Sequence, residues 1–419
     1  MSPRALINFS IFLAVLVLID LYAWKGVNAA LAGHSLTVRR MLRLVYWSIS
    51  IGLLATLVWT MLGMQDLRAR RDHSYVFSLA AVFLLFFLPK VVMVVFHGLD
   101  DLLHALRWVW MKATPASADG SGETLDRANF LSQLGLILSV VPFAGVLYGV
   151  TKGRRTFNVA QVPIRSPRLP AAFHGLRVVQ ISDMHLGSYG NDLSLVQNGV
   201  ELINAAEPDL VLFTGDLVND FADEAEPFVE LLGSINARLG KYSILGNHDY
   251  SDYARWTDAD AKAANLTKLK EVHARAGFRL MLDEHATIEL NGERIGLLGV
   301  QNWGRRFQQY GDLAKTVRGS EALPFRILMS HDPTHWEEQV LGTGIDLTLS
   351  GHTHGAQFGV KLGGTTYSPA QWVYKHWAGH YTEGEQQLYV NRGFGFIGFP
   401  GRVGMPPEIT VLELQRTTA

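Results

Sequence analysis

The chain has 419 residues, no cysteine and a formal net charge of −1. Disulfides, thiolate metal sites and cysteine nucleophiles are therefore excluded, and nothing in the charge balance points to nucleic acid. Hydrophobic residues make up 48 % of the chain, and the excess sits in the first third.

Four apolar runs open the sequence: Ala5 to Trp24, Leu44 to Met64, Tyr75 to Leu99 and Leu131 to Val150. Each has about the 20 residues that a helix needs to cross a ~30 Å hydrocarbon core. The first lacks a basic leader and a cleavage site, so it reads as a retained helix rather than a signal peptide. Lys90 lies inside the third run behind Pro89, where an ionised group faces the bundle or snorkels. Gly98 to Met111 has an amphipathic spacing suited to an interface, and Thr114 to Glu123 reads as a flexible linker. Four crossings put both ends on one side. That side carries Arg4, Arg68, Arg70, Arg71, Lys152, Arg154, Arg155 and Arg165 near the helix ends. The other carries Lys25, Arg39, Arg40, Arg43, Arg107, Lys112 and Arg127, so the positive-inside rule does not choose.

Residues 1–155 thus form a four-helix transmembrane region, 156–173 a linker and 174–419 a second domain. In the latter, strands at Leu176–Ile181, Asp209–Phe213 and Tyr242–Leu245 alternate with helical spacing over 192–206, 221–239 and 254–276. Alternation of this kind means βαβ units and a parallel sheet. Closely spaced strands follow at 278–282, 287–290 and 294–300, with Asn291-Gly292 as a hairpin turn. Further strands at 325–329, 346–349, 388–390 and 409–414 suggest two packed sheets flanked by helices, an α/β class.

Ligands in open α/β sheets sit beyond the carboxyl ends of the strands. Five strands here end on Asp183-Met184-His185, on Gly215-Asp216 with Asn219-Asp220, on Gly246-Asn247-His248-Asp249, on Ser330-His331-Asp332, and on Gly351-His352-Thr353-His354-Gly355. Each alone is ordinary turn chemistry. Together they bring carboxylates, an amide and imidazoles to one rim. That inventory suits two divalent ions ~3.5–4 Å apart, which polarise both ends of a phosphoryl displacement. Oxygen ligands mixed with imidazole favour Mn, Fe, Zn or Mg over thiophilic metals.

These five blocks, in this order, resemble the calcineurin-like metallophosphoesterase family over about residues 174 to 414. The resemblance implies a four-layer α/β/β/α sandwich and a binuclear metal site. Asp183, His185, Asp216 and His354 would hold the first ion, with Asp216 bridging. Asn247, His331 and His352 would complete the second. His248 would act on the phosphate and leaving oxygen, Asp249 would orient it, and Asp220 would support a ligand. Ser182, His331-Asp332-Pro333, Asn391-Arg392-Gly393-Phe394-Gly395, Pro400-Gly401-Arg402 and Pro406-Pro407-Glu408 resemble a membrane-associated bacterial subgroup, and the four-helix front resembles the transmembrane metallophosphoesterases. Ala356 departs from the glycine that many relatives carry. Arg127 to Leu131 resembles a twin-arginine export signal without its second arginine, which implies a catalytic domain outside the cytoplasm.

The implied activity is metal-dependent hydrolysis of a phosphate ester, as a phosphodiester or a lipid-linked phosphate. A UDP-2,3-diacylglucosamine-type pyrophosphatase and a non-enzymatic membrane sensor or scaffold are the alternatives. Arg392 and Arg402, and in the Trp303–Tyr310 loop Arg305 and Arg306, are candidate phosphate clamps. Gly393 to Gly398 spells G-x-G-x-x-G, but the prolines after it forbid the helix that a dinucleotide site requires. His335, His376 and His380 fit no metal block. Tyr367, Trp372, Tyr374, Trp377 and Tyr381 read as hairpin packing, with a lipid-facing lip as the alternative.

Overall fold

The structure is a computed structural model that describes residues 3–63, 73–113 and 124–418. The expected linker 114–123 and Arg68, Arg70 and Arg71 lie outside the described residues. The chain divides into two compact units, one of residues 1–70 and 78–148, the other of 71–77 and 149–419.

The first unit is helical. It comprises α1 (Pro3–Ala30), α2 (Leu36–Leu62), α3 (Ser74–Ala113) and α4 (Thr124–Leu138), with α5 (Val140–Thr151) running on into the second unit. Ser35 caps α2 by accepting from the Val38 amide. Four stretches, Leu6–Ala30, Leu36–Leu62, Ser74–Lys112 and Phe130–Arg155, are long and apolar enough to cross a membrane. Gly98 to Met111 continues α3, because nothing after Pro89 interrupts the hydrogen-bonded ladder. The last span is broken once, at Ser139, just before Pro142, whose ring supplies no amide to the turn before it.

Lys90 faces the bundle. Its ammonium donates to Asp20 Oδ1 and, at 2.8 Å, to Ser50 Oγ, while Ser50 donates to Asp20 at 3.0 Å. Lys90 and Asp20 are both buried. Replacing one partner strands the other charge in an apolar surround, which costs about 3–5 kcal/mol, whereas replacing both with apolar residues is near neutral. Lys90→Met is expected to lower the unfolding temperature of the detergent-purified protein markedly, and Asp20→Leu combined with it to restore most of the loss. A double variant as unstable as the single would rule out the pair as the cause.

The second unit is a four-layer α/β/β/α sandwich. Its first sheet runs in the order β1 (Asn158–Ser166), β14 (Glu408–Arg416), β2 (Arg177–Ile181), β3 (Leu210–Phe213), β4 (Lys241–Ser243), β5 (Arg279–Leu280). The second runs β12 (Gly379–Glu383), β13 (Gln386–Val390), β9 (Leu347–Ser350), β8 (Arg326–Met329), β7 (Glu293–Gly299), β6 (Glu284–Leu290). Side chains alternate across each strand. Val178, Leu210, Leu212, Ile327, Met329, Leu347 and Leu349 therefore meet between the sheets. Val179, Ile181, Val211 and Phe213 turn outward onto α6 (Ser194–Ala205) and α8 (Ala259–Arg275). Leu298, Leu328 and Val390 turn outward on the other side, under Trp336 and Val340.

Two expectations change here. Residues 156–173 are not a linker, since β1 pairs in parallel with β14 along its whole length. Its Pro163 is tolerated because β1 is an edge strand. The helix expected over 221–239 reduces to a 3-10 stretch, Ala222–Phe228, and the short α7 (Val229–Gly233), because Pro227 interrupts the ladder.

Candidate metal centre

Strands β2, β3, β8 and β9 are mostly apolar and, Arg177 apart, buried; β2 runs parallel to β3 and β8 to β9, and the loops after their carboxyl ends meet at one rim. The loops leaving that rim are laced together. Asp183 N donates to Gly215 O at 2.9 Å, His185 N to Asp216 O at 3.2 Å, Gly351 N to His331 O at 2.9 Å, and His352 N to Asp183 Oδ2 at 2.9 Å. A side chain at Gly351 would collide with Ser182 and Asp183, so that crossing admits only glycine. Asp183, His185, Asp216, His352 and His354 all have φ between +48° and +72°. Left-handed backbone at non-glycine residues is uncommon and gathers at functional sites.

Two groups of ligand-type atoms result. One atom each from Asp183, His185 and His354 lie within 4.8 Å of one another, and the same holds for Asp216, His331 and His352. Asn247 joins the second group, its Oδ1 3.1 Å from His331 Nε2. Asp216 Oδ2 lies 3.1 Å from His331 Nε2 and 3.7 Å from His185 Nε2, so one oxygen faces both groups. A cavity of about 300 Å³ opens over them, walled also by His248, Tyr253, Phe307 and Ile397.

The donor chemistry fits cations. His331 Nδ1 lies 2.7 Å from the Thr214 carbonyl and must donate to it, so Nε2 is the nitrogen whose lone pair takes a cation or, in its place, a proton. That lone pair converges with Asp216 Oδ2, Asn247 Oδ1 and His352 Nδ1, the last at 3.3 Å. His185 Nε2 and His354 Nε2 meet at 3.0 Å, with Asp183 Oδ1 at 3.3 Å from the latter. Burial pushes the imidazoles of His185, His352 and His354 below their ordinary pKa, which favours the neutral form that a cation would need. Burial also opposes charge on His331, but Asp216 and Asp183 outweigh it and push that imidazole up to about 10. A proton there would do the work of a cation, balancing the two carboxylates.

Residues 176–356 match the family described as calcineurin-like phosphoesterase, and residues 4–154 the one described as probable calcineurin-like phosphoesterase, transmembrane domain. The uncharacterized metallophosphoesterase YkuE of Bacillus subtilis is 32 % identical over 262 residues, covering 61 % of this chain and 84 % of that one. The chain belongs to the calcineurin-like phosphoesterases. A transmembrane protein with metallophosphoesterase domain from Danio rerio is 30 % identical over 98 % of this chain and 90 % of its own, so the likeness includes the helical unit. Phosphodiesterase YaeI of Escherichia coli is 27 % identical over 57 % of this chain and 82 % of its own. This calcineurin-like phosphoesterase is a multi-pass membrane protein and a metal-dependent hydrolase of phosphoric esters.

Several site expectations change on the geometry of this phosphoesterase. Asp249 does not reach His248. Its carboxylate accepts four backbone amides, those of Asp216, Leu217, Val218 and Gly246, and so fastens the two ligand loops together. Burial and Asp216 push the Asp249 carboxyl up to about 7 against the opposing pull of those amides. His248 is oriented instead by the Asn219 carbonyl, 2.7 Å from its Nδ1. Arg402 is not a phosphate clamp: it is buried, and its guanidinium donates to the carbonyls of His354, Arg392, Gly393 and Gly395. Arg392 faces Glu408 at 3.5 Å, and Arg305 pairs with Glu338. Asp220 ends the second loop, where its carbonyl accepts from Ser251 Oγ and Asn265 Nδ2.

Other contacts join stretches that the sequence singles out, but their partners could not be read from it. Tyr374 OH lies 2.9 Å from His352 Nε2, with Asp332 Oδ2 at 3.7 Å, so both steady that ring. Tyr253 OH accepts from Asn247 Nδ2 at 3.0 Å, which turns the amide oxygen toward His331. The tail Asn391–Gly395 braces the first block, Phe394 N donating to Ser182 O at 2.7 Å and Gly395 N to Asp183 O at 2.8 Å.

Proposed function

We propose that this phosphoesterase hydrolyses a phosphodiester or a lipid-linked phosphate with the aid of two divalent cations. The observation that carries the reading is Asp216 Oδ2, one oxygen facing two ligand groups. Asp183, His185, Asp216 and His354 would hold one ion, and Asp216, Asn247, His331 and His352 the other. When bound, such a pair supplies an acidified water and positive charge for the attacking and leaving oxygens. Mn, Fe, Zn and Mg all suit the mix of oxygen and imidazole.

The chain's own groups do the rest. Asp216 Oδ1 accepts the His248 amide at 2.8 Å, so the carboxylate that faces both groups is held from behind. With Nδ1 taken by Asn219, His248 keeps Nε2 for the phosphate, where it passes a proton to the departing oxygen. Tyr253 and Phe307 flank the opening and exclude water from part of it. The likeness to a phosphodiesterase of Escherichia coli favours a diester. Four spanning helices favour a substrate met at a bilayer.

The test is turnover of bis(4-nitrophenyl) phosphate by detergent-purified protein. Activity is expected to vanish on chelation and to return with Mn²⁺; full activity after exhaustive chelation would overturn the reading. The reading also takes the catalytic unit to lie outside the cytoplasm, on the likeness of 127–131 to an export signal. A reporter fused after Ala419 should be active only outside. An inward result would favour the nucleotide-sugar pyrophosphatase instead.

A further inference from the structure

Strands β10 (Val360–Leu362) and β11 (Thr365–Tyr367) form a two-stranded ribbon that joins neither large sheet. Val360 pairs with Tyr367 and Leu362 with Thr365, so Val360, Leu362 and Tyr367 share one face. That face is bare: the three side chains are 59 %, 62 % and 48 % exposed. The turn that follows extends it, with Trp372 81 % exposed and Val373 47 %. A ribbon of two strands has little stability of its own, and an apolar patch of this kind marks an interaction site.

Two anchors tie the patch to the metal centre. Ser368 Oγ donates to the Gly355 carbonyl at 2.7 Å, directly after His354. Tyr374, one residue past the patch, is the group 2.9 Å from His352 Nε2. Whatever covers the patch is therefore held beside the cavity mouth. Between Phe358 and Ala378 the chain has two lysines, Lys361 and Lys375, both exposed, and no Asp or Glu. Aliphatic, Trp and Tyr side chains flanked by lysine suit an anionic lipid surface, where the rings lie at head-group depth and the ammonium groups meet phosphate. The same chain carries helices fit to span a bilayer, joined to β1 through residues 152–157, so a lipid surface is always at hand.

We infer that the β10–β11 ribbon and the Pro369–Val373 turn are a bilayer-docking surface, seated in an anionic head-group layer so that a lipid-borne phosphate ester meets the cavity beside it. The activity part of this inference rests on the proposed hydrolase function; the docking part does not.

The absence of cysteine allows a direct test. Full-length protein carrying Leu362→Cys, labelled with a nitrobenzoxadiazole dye, is reconstituted in vesicles of phosphatidylcholine with a minority of phosphatidylglycerol. The control label is at Thr257→Cys, exposed in the same unit. Doxyl lipids should quench the dye at 362 by about twofold or more and leave 257 unchanged, as expected of a group at head-group depth. Free access of aqueous iodide at 362, with no lipid quenching, would overturn the inference. So would shielding from iodide without lipid quenching, which would mean that a second copy or another protein covers the patch. In a second arm, Leu362→Asp with Trp372→Glu should cut turnover of a vesicle-borne phosphodiester lipid about tenfold and spare bis(4-nitrophenyl) phosphate. Equal loss on both would assign the ribbon to the site itself and overturn docking. If the unaltered protein turns over neither, the hydrolase reading falls, and quenching alone decides the docking surface.

Discussion

Asp216→Ala is expected to abolish turnover and metal binding together. The rate should fall by at least about 10²–10³-fold, the scale of losing one group that supports charge in the transition state. The carboxylate has more than one duty. Its Oδ2 faces His185 and His331, and its Oδ1 holds the His248 amide. Burial alone would raise the Asp216 carboxyl, but His331 and His248 outweigh it and hold it well below the usual range. It is therefore a charged acceptor throughout the working pH range, and no neutral side chain replaces it. Asp216→Asn, which keeps the shape, should recover folding but not activity. Metal analysis by plasma mass spectrometry with bis(4-nitrophenyl) phosphate turnover reads both effects. Full metal content and full rate in the alanine variant would defeat the assignment.

His248→Ala should separate the two effects. The alanine keeps the backbone amide that Asp216 accepts, and the imidazole belongs to neither group of ligand atoms. Metal content should stay at the level of the unaltered protein, while turnover falls about 10²–10⁴-fold, the range for a lost general acid. The loss should be largest for an alkyl ester and smaller for a nitrophenyl ester, because nitrophenolate departs without a proton. Equal losses on the two esters would leave His248 as a charge for the phosphate rather than a proton donor. Loss of metal would make it a ligand.

The parts of the molecule that were legible in the sequence are those that local pattern encodes. Strands β2, β3, β8 and β9 are short apolar runs, each ending on a cluster of Asp, His, Asn or Gly. Strand β1 was not legible, because its partner β14 lies some 250 residues away and Pro163 mimics a linker. Asp249 was misread for a related reason. The resemblance implies that it orients His248, but the two side chains take different partners: Asp249 holds backbone amides, and Asn219 on another loop does the orienting. Arg402 looked like a clamp in a Gly/Pro-rich loop, and only burial among four carbonyl groups reveals it as a brace. Lys90 stands out as an anomaly in an apolar run, but nothing in the sequence names Asp20, in a different run, as its partner.

The left-handed backbone at Asp183, His185, Asp216, His352 and His354 has a consequence for what these positions can become. Such conformations strain most side chains by about 1–3 kcal/mol each, and β-branched ones most of all, while Asn, Asp and His bear them comparatively well. Those three are also good cation ligands. The main chain thus acts as a filter on identity before any metal arrives: glycine apart, the residues that bear the bend best are ones that can still coordinate. Valine or leucine at His352 would fail twice, once on backbone strain and once on chemistry, whereas glycine would fail only on the second.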